Sequence, residues 1–550
     1  MLGFNAVLNN RLITFLEDND LLVDEQNGFR GNRSCLDHVF TLNSVIQNRN
    51  STFVTFIDLQ KAFDTVDREL LYYCLLNNGI DGKFYYNIKT LYTNTQSRVR
   101  LDNINTNWFQ CNVGVRQGDN LSPTLFALFI NDLAINLKAL NKGVQIDNYN
   151  ISLLLYADDI ALISSSENDM QDMLNQVDSW CRKWRLRINS QKSKIVHFRK
   201  NRSKRSSFNF HIGETFLEYV ESYKYLGVIF DEKRDFKKNA ENLAKSGGRA
   251  LGSVISKIHT NKFIGVLTYE KLFNNCVAPV FDYSSGVWGY KKHHCIEMVQ
   301  HRALRYFLGT HRFTPLLTVE GECGSWMNCF SRHKINMLRL WNRLASMDND
   351  RLTKRIFLWE RAQNNQSNWT SQIKNLMEEI NMGNVFRNSA ICNIQQAEEK
   401  NRSNLETTWK NYLQHVPKLR TYSLLKSNFI VEKYITLDIP KPIRSTMAMF
   451  RCGVLPLRLE TGRYKGEPVE DRICSMCVLN VVETEKHFLL QCPYYNDQRN
   501  SLFVKIGYDA NLFYFNDSTF IDIVNNFPRQ TANFIHNCYN LRQKYLRKPT

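Results

Sequence analysis

Leu153-Leu154-Leu155-Tyr156-Ala157-Asp158-Asp159-Ile160-Ala161-Leu162-Ile163 sets two adjacent carboxylates inside an otherwise apolar run. The Leu and Ile residues on either side read as the two strands of a hairpin. A buried, unpaired carboxylate is costly, and side chains alternate faces along a strand. The spacing therefore predicts that Asp158 and Asp159 occupy the hairpin turn. Taken by itself, the stretch also reads as a plain surface Asp-Asp turn. Another acid stands in a comparable place earlier in the chain. In Thr55-Phe56-Ile57-Asp58-Leu59-Gln60-Lys61-Ala62-Phe63-Asp64 an apolar strand runs into Asp58, and the chain then turns toward a helix. A carboxylate at a strand end is firmly aimed yet reachable, which suits a hard divalent cation.

Around these acids the periods are mixed. Thr52–Ile57, Leu153–Tyr156 and Lys194–Phe198 read as strands, and Glu69–Asn77 and Pro123–Leu137 as helices. In the last, Ser122 is the expected N-cap and Pro123 lies in the first turn. Strands and helices without a regular βαβ rhythm predict an α+β fold. Phe236–Ile258 and Arg332–Met347 carry Leu, Ile and Trp at helical spacing, so the middle of the chain reads as helical. The polar segment 361–405 reads as exposed helices or a hinge.

At 550 residues the chain has room for three to four domains. With 43% hydrophobic residues, wholesale disorder is excluded. No apolar run is long enough for a membrane span, and MLGFNAVLNN lacks the features of a signal peptide, so the expectation is an intracellular protein without a membrane partner. A net charge of +18 points to a polyanion, nucleic acid by default, or else to a merely soluble basic protein. Much of the charge is concentrated: Arg182, Lys183, Arg185, Arg187, Lys192, Lys194, Arg199, Lys200, Arg202, Lys204 and Arg205 run on without one Asp or Glu. So one-sided a stretch reads as a phosphate-contacting surface, and Lys200–Arg205 also fits a nuclear address. Beyond it, Gly247, Gly248 and Gly252 weaken a predicted helix. They imply either close approach to a duplex groove or a helix break.

Most of the fourteen Cys are scattered and read as small buried hydrophobes. Cys474, Cys477, His487 and Cys492 form a C-x2-C-x9-H-x4-C series, which fits one tetrahedral Zn²⁺. A redox CxxC would need a βαβ context that is absent. Arg472, Lys486, Tyr494, Tyr495 and Arg499 surround the series. Basic and aromatic side chains there suit single-stranded nucleic acid, or zinc simply holds a small module together.

Between the two acid-bearing stretches stands Gly114-Val115-Arg116-Gln117-Gly118-Asp119-Asn120-Leu121-Ser122-Pro123-Thr124-Leu125-Phe126. With FIDLQKAFD before it and Tyr156-Ala157-Asp158-Asp159 after it, the series resembles the active-site boxes of reverse transcriptases in their family order. It looks most like the jockey-like, LINE-type branch of non-LTR retrotransposons. The resemblance implies a right-hand polymerase: palm and partial fingers over 1–235, a helical thumb over 236–345, a helical linker over 346–450, a CCHC zinc-knuckle-like module over 451–500 and a helical tail over 501–550. The implied activity is RNA-directed DNA polymerisation, extending a DNA 3′ end on RNA by target-primed reverse transcription. Implied partners are an RNA template, a DNA primer or target and dNTP, in a nuclear or cytoplasmic ribonucleoprotein.

Residue roles follow from the same resemblance. Two Mg²⁺ ions (Mn²⁺ being a substitute) about 4 Å apart would activate the 3′-hydroxyl and stabilise pyrophosphate. Asp58 and Asp158 would bridge them, with Asp159 in support and the Leu59 carbonyl as a further ligand. Phe63 resembles a steric gate against a 2′-hydroxyl, or else packs the helix start. Arg116, Gln117, Gly118 and Tyr156 would line the nucleotide and template site. Ile188–Lys194 resembles a further motif in which Lys192, or equally Lys194, protonates pyrophosphate. Tyr223-Lys224-Tyr225-Leu226-Gly227-Val228 resembles the primer grip, making Tyr225, Leu226 and Gly227 nucleic-acid contacts beside Arg185 and Arg187. Asn9–Leu12 and Gln26–Ser34 resemble segments that follow the first fingers motifs. The chain therefore reads as an N-terminally truncated copy, and the alternative is a catalytically impaired protein that only binds nucleic acid.

Overall fold

The Ser51–Ile57 strand lies at the centre of a five-stranded sheet. Lys194–Arg199 and Asp159–Ser164 flank it, both antiparallel. Leu153–Tyr156 extends the sheet beyond Asp159–Ser164, and the short Glu218–Tyr219 strand closes the opposite edge, parallel to its neighbour. Thr52–Ile57 is buried throughout, because both faces of the strand are covered. That explains its near-continuous apolar and Thr reading where a half-exposed strand would alternate. On one face, Ser122–Ala139 and Glu167–Lys183 contribute Phe126, Phe129, Met173 and Trp180 to a core shared with Phe53 and Ile57. Phe56 stacks on Tyr223, ring centroids 4.3 Å apart.

This computed structural model describes residues 2–200, 203–259, 264–324, 326–508 and 516–546. Arg202 of the basic run lies outside them. Two compact units emerge: 1–239 with 286–290 and 337–392, and 240–285 with 291–336 and 393–550. Residues 346–392 thus belong to the first unit, although they were expected to start a linker. The reason is packing: Thr41 bonds Thr353, Ser44 bonds Glu360 and Phe40 meets Trp369 edge-on. Trp369, Ile373, Leu376 and Met377, within the segment expected to be exposed or hinge-like, form a buried helix face.

Further expectations need correction. The Ser122–Ala139 helix has Leu121, not Ser122, as its N-cap. Ser122 is instead buried, and its hydroxyl meets Tyr92 Oη at 3.1 Å. Lys237–His259 runs unbroken through Gly247-Gly248. A Cβ at Gly247 would sit 2.6 Å from Phe281, so that glycine serves helix packing, while Gly248 and Gly252 face open space.

In the second unit, Tyr269, Phe273, Phe307 and Trp326 form an aromatic core, and buried Arg451 lies between Glu322 and Glu432. The 451–500 region is continuous with the tail: Phe488 meets both Phe450 and Phe534, and Arg542 pairs with buried Glu483. No helix among the described residues is long and apolar enough to cross a membrane.

Candidate active site

Strand register brings the acids together. Ile57 pairs with Ile160, so Asp58, one residue on, faces Asp159 across the same antiparallel ladder. Tyr156 pairs with Asp159, which leaves Ala157 and Asp158 as the two turn residues. The adjacent acids therefore straddle the turn: Asp158 is in it and Asp159 opens the next strand. On the other flank Phe56 pairs with Lys194; beyond it the register slips so that Leu59 bridges Ile188, and the turn between holds Lys192. Lys192 Nζ lies 4.0 Å from Asp58 Oδ2, whereas Lys194 pairs with Glu218. That contact separates the two lysines the sequence left equivalent.

The 187–193 segment also braces Asp58. Ser193 Oγ accepts its backbone N–H, and Asn189 N–H donates to its carbonyl. Gln60 N–H donates to the Arg187 carbonyl. These ladder bonds use the carbonyls of Asp58 and Arg187, so this pairing does not engage Leu59's own carbonyl.

Burial and the neighbouring carboxylates Asp158 and Asp58 push Asp159 up to about 6. Burial first, then Asp58, also raises Asp158. Three carboxylates thus repel one another around a spot where Lys192 is the nearby cation. Such an all-oxygen donor set fits a hard divalent cation.

The sign of the pH effect is unusual. A carboxyl whose folded value exceeds its unfolded value favours folding at low pH, and that advantage fades as pH rises from about 4 through about 6. In chelator, wild type should lose about 1 kcal/mol over that window relative to Asp159→Asn, the full shift being discounted for screening because only part of the side chain is withdrawn from water. Thermal melts of both proteins at pH 4.5 and 7.0 check this, and a constant difference would refute it.

The remaining boxes assemble around the acids. Val115 N–H donates to the Phe63 carbonyl and Gly114 N–H to that of Val66, docking the second box onto the chain after Asp58. Gly114 has φ +83°, and a Cβ there would meet the Asp64 carbonyl at 2.6 Å, so only glycine fits. Gln117 donates to Asp64 at 2.9 Å, and Gly118 faces open space. Phe63 is half-buried and stacks on Phe126 at 4.6 Å. Arg116, however, turns inward, donating to the Leu91 carbonyl and covering the Tyr92 ring. Tyr156 is half-buried beside His38.

The primer-grip-like hairpin pairs Tyr225 with Val228, and Leu226 and Gly227 at φ +44° and +83° form its two-residue turn. Tyr225 itself is 2% exposed, lying against Phe56 with its hydroxyl 3.3 Å from His38 Nδ1. It anchors the hairpin, and Leu226 and Gly227 form the outward end.

The basic run is not one surface. Lys194 and Arg199 end the same strand at opposite sides of the sheet, beside Phe56 and Ser51 respectively. Several charges are also neutralised: Arg182 by Asp178 one turn back on its own helix, and, from other elements, Arg185 by Asp67 and Arg199 and Arg205 by Glu232. Arg187 is exposed, and its backbone carbonyl accepts from Gln60 N–H, two residues past Asp58. Counting the run in sequence hides Asp67 and Glu232, which come from distant residues.

Sequence reading assigned no role to Gln26 and Gly28. Gln26 is fully buried, and its Oε1 accepts from Ala157 N–H at 3.2 Å and from Gly28 N–H at 2.8 Å. Asn27 N–H donates to the Leu155 carbonyl, and Leu155 N–H to that of Glu25. The segment therefore runs along the outer edge of Leu153–Tyr156 and holds the turn that carries Asp158. A buried amide placed just before two glycines was the available signal.

In the second unit, ligand atoms of Cys474, Cys477, His487 and Cys492 all lie within 4.8 Å of one another. The Cys474–Cys477 turn is held by Cys474 N–H donating to the Val481 carbonyl, and Cys492 N–H donates to the His487 carbonyl. The cluster fits a thiolate- and imidazole-binding metal. Its basic and aromatic surroundings are largely structural. Arg499 donates to the Leu489 and Cys492 carbonyls, Arg472 to those of Leu459 and Glu467, and Tyr495 is fully buried. Lys486 pairs with Asp517. Tyr494 is partly exposed.

The family described as reverse transcriptase (RNA-dependent DNA polymerase) matches residues 3–230, which hold all three acids. Over those residues the chain is similar to a reverse transcriptase domain, and its relatives include the jockey-like, non-LTR retrotransposon enzymes. It is 26% identical over 341 residues to the probable RNA-directed DNA polymerase from transposon BS of Drosophila melanogaster, covering 58% of this chain and 37% of that protein. Against the RNA-directed DNA polymerase from mobile element jockey of the same species, identity is 25% over 327 residues, covering 57% and 35%. The match thus spans little more than a third of either relative. Among solved structures, apo telomerase from Candida Tropicalis overlaps at a TM-score of 0.34 and 10% identity, over 65% of this chain and 61% of that one. So loose a likeness supports no argument.

Proposed function

We propose that this chain extends a DNA 3′ end on an RNA template with dNTP, by two-metal nucleotidyl transfer in a target-primed setting. The observation that carries this reading is the register that sets Asp58 against Asp159 and Asp158 at one end of the sheet. A surface meant only to hold phosphates gains nothing from three clustered carboxylates, which would repel them. Two divalent cations bound there, Mg²⁺ or Mn²⁺, would lower the pKa of the primer hydroxyl and stabilise leaving pyrophosphate. Asp58 and Asp158 would hold them, Asp159 would add negative charge and the Leu59 carbonyl a further oxygen. Lys192, whose Nζ lies 4.0 Å from Asp58 Oδ2, would give pyrophosphate a proton. Gln117 and Gly118 would present the template, and Leu226-Gly227 with Arg187 the primer strand. Extension of oligo(dT) on poly(rA) with Mg²⁺ tests the reading, and chelator should stop it.

Phe63 would exclude the 2′-hydroxyl. Its ring is fixed by Phe126 rather than free to swing aside. Phe63→Ala should raise the ratio of rNTP to dNTP incorporation about tenfold or more, which corresponds to roughly 1.4 kcal/mol of discrimination. An unchanged ratio would remove the gate. The Cys/His cluster would hold one structural Zn²⁺. Metal analysis should find one zinc per chain, absent in Cys474→Ser together with a lowered melting temperature. A metal-free protein of equal stability would refute it.

A further inference from the structure

The end of the sheet opposite the acids carries a cleft of about 680 Å³ in the first unit. It lies where the Ser51–Ile57 strand begins and Lys194–Arg199 ends, roughly 20 Å along the strand from Asp58 at about 3.3 Å per residue. Arg49, Arg199, Lys200, Lys233 and Arg234 line it, with the side-chain amides of two segments, 47–50 and 363–366, and no carboxylate. Glu232 neutralises Arg199. Among the described residues, Arg49, Lys200, Lys233 and Arg234 have no ion-pair partner.

Two of these cations are rigidly set. Arg234 donates to the backbone carbonyls of Arg49 at 2.6 Å and Asn50 at 2.5 Å, and Arg49 lies over the Trp359 ring. The Nε–H groups of both arginines are buried and without a hydrogen-bond partner. Lys200 and Lys233 are exposed at the rim. Fixed cations inside, exposed ones at the rim and amides between them make a wall that donates and accepts, yet carries no carboxylate to repel an anion.

We propose that this cleft is a second nucleic-acid site, which takes the phosphate chain of a single strand while the amides meet its base edges. It is separate from the polymerase reading, since none of its residues approaches the acids. Cations spread along an open cleft match a phosphate chain better than one small anion, and unpaired lysines at the rim release counterions when it binds. The strand's source, RNA or DNA, is distinguished by the sugar.

The test uses the full chain with a short rA/dT template–primer duplex in excess, to fill the polymerase site. Anisotropy then reads the binding of fluorescein-labelled (rC)30 and (dC)30, which pair with neither strand of that duplex. Lys233→Glu/Gln366→Glu should weaken binding about tenfold and flatten its salt dependence, while extension of the short duplex stays within twofold of wild type. Lys83→Glu, an exposed charge change elsewhere, is the control. Equal loss for both probes assigns the phosphate chain of either strand, and loss for one alone assigns that strand. Unchanged binding, or a loss that Lys83→Glu reproduces, would overturn the site. Failure of primer extension in wild type would sink the polymerase reading and leave this measurement intact.

Discussion

Asp158→Ala should abolish extension of oligo(dT) on poly(rA), a loss of about a thousandfold or more, and leave the protein folded. Charge stabilisation by bound cations contributes several kcal/mol to such a reaction, and each 1.36 kcal/mol is a factor of ten in rate. Asp158 sits in the turn, where it supports no ladder bond of the sheet through its side chain. Burial and Asp58 already make its ionised form costly. Removing it therefore relieves repulsion, and the melting temperature in chelator should hold or rise. Activity and stability thus move apart, which separates a catalytic role from a structural one. Equal incorporation by wild type and variant would end the catalytic assignment.

How much of this was legible beforehand depended on range. Leu153–Tyr156 was readable because its apolar run ends at two acids, and the bounds match the strand observed. The Asp58 stretch was readable because a strand buried on both faces needs no alternation. Ser122 misled because its residue type suits a cap, yet its hydroxyl found Tyr92, thirty positions away in sequence. Tyr225 misled likewise: a Tyr of the motif expected to contact nucleic acid is drawn into the core by Phe56 and His38. The basic run failed in a different way. Its neutralising acids, Asp67, Glu218 and Glu232, come from other elements, and a strand carries its two ends apart. Local pattern reports the element, and only the fold reports the partner.

Gly28→Ala should cut extension about a hundredfold with the fold retained. A Cβ built at Gly28 lies 2.4 Å from Ala157 N and 3.1 Å from Ala157 Cα. Both are backbone atoms of the turn, so no side chain can swing away, and either the 25–28 segment or the turn must shift. Ala157 has little slack, because it already holds φ +59°, a conformation that costs a non-glycine residue about 1 kcal/mol or more. Gln26 Oε1 bridges the same two backbone N–H groups, of Gly28 and Ala157, so that displacing one loosens the other. The shift falls on Asp158, the next residue, whose carboxylate must keep its place in the turn beside Asp58. A misplacement of about 1 Å at reacting groups costs on the order of a hundredfold. Gly31→Ala is the matched control: no atom lies within 4 Å of a Cβ there, and extension should be unchanged. Circular dichroism should be the same for all three proteins, with the rate alone distinguishing Gly28→Ala. If that variant extends as fast as wild type, the 25–28 segment is a mere neighbour of the turn, and what positions Asp158 must be sought within the hairpin itself.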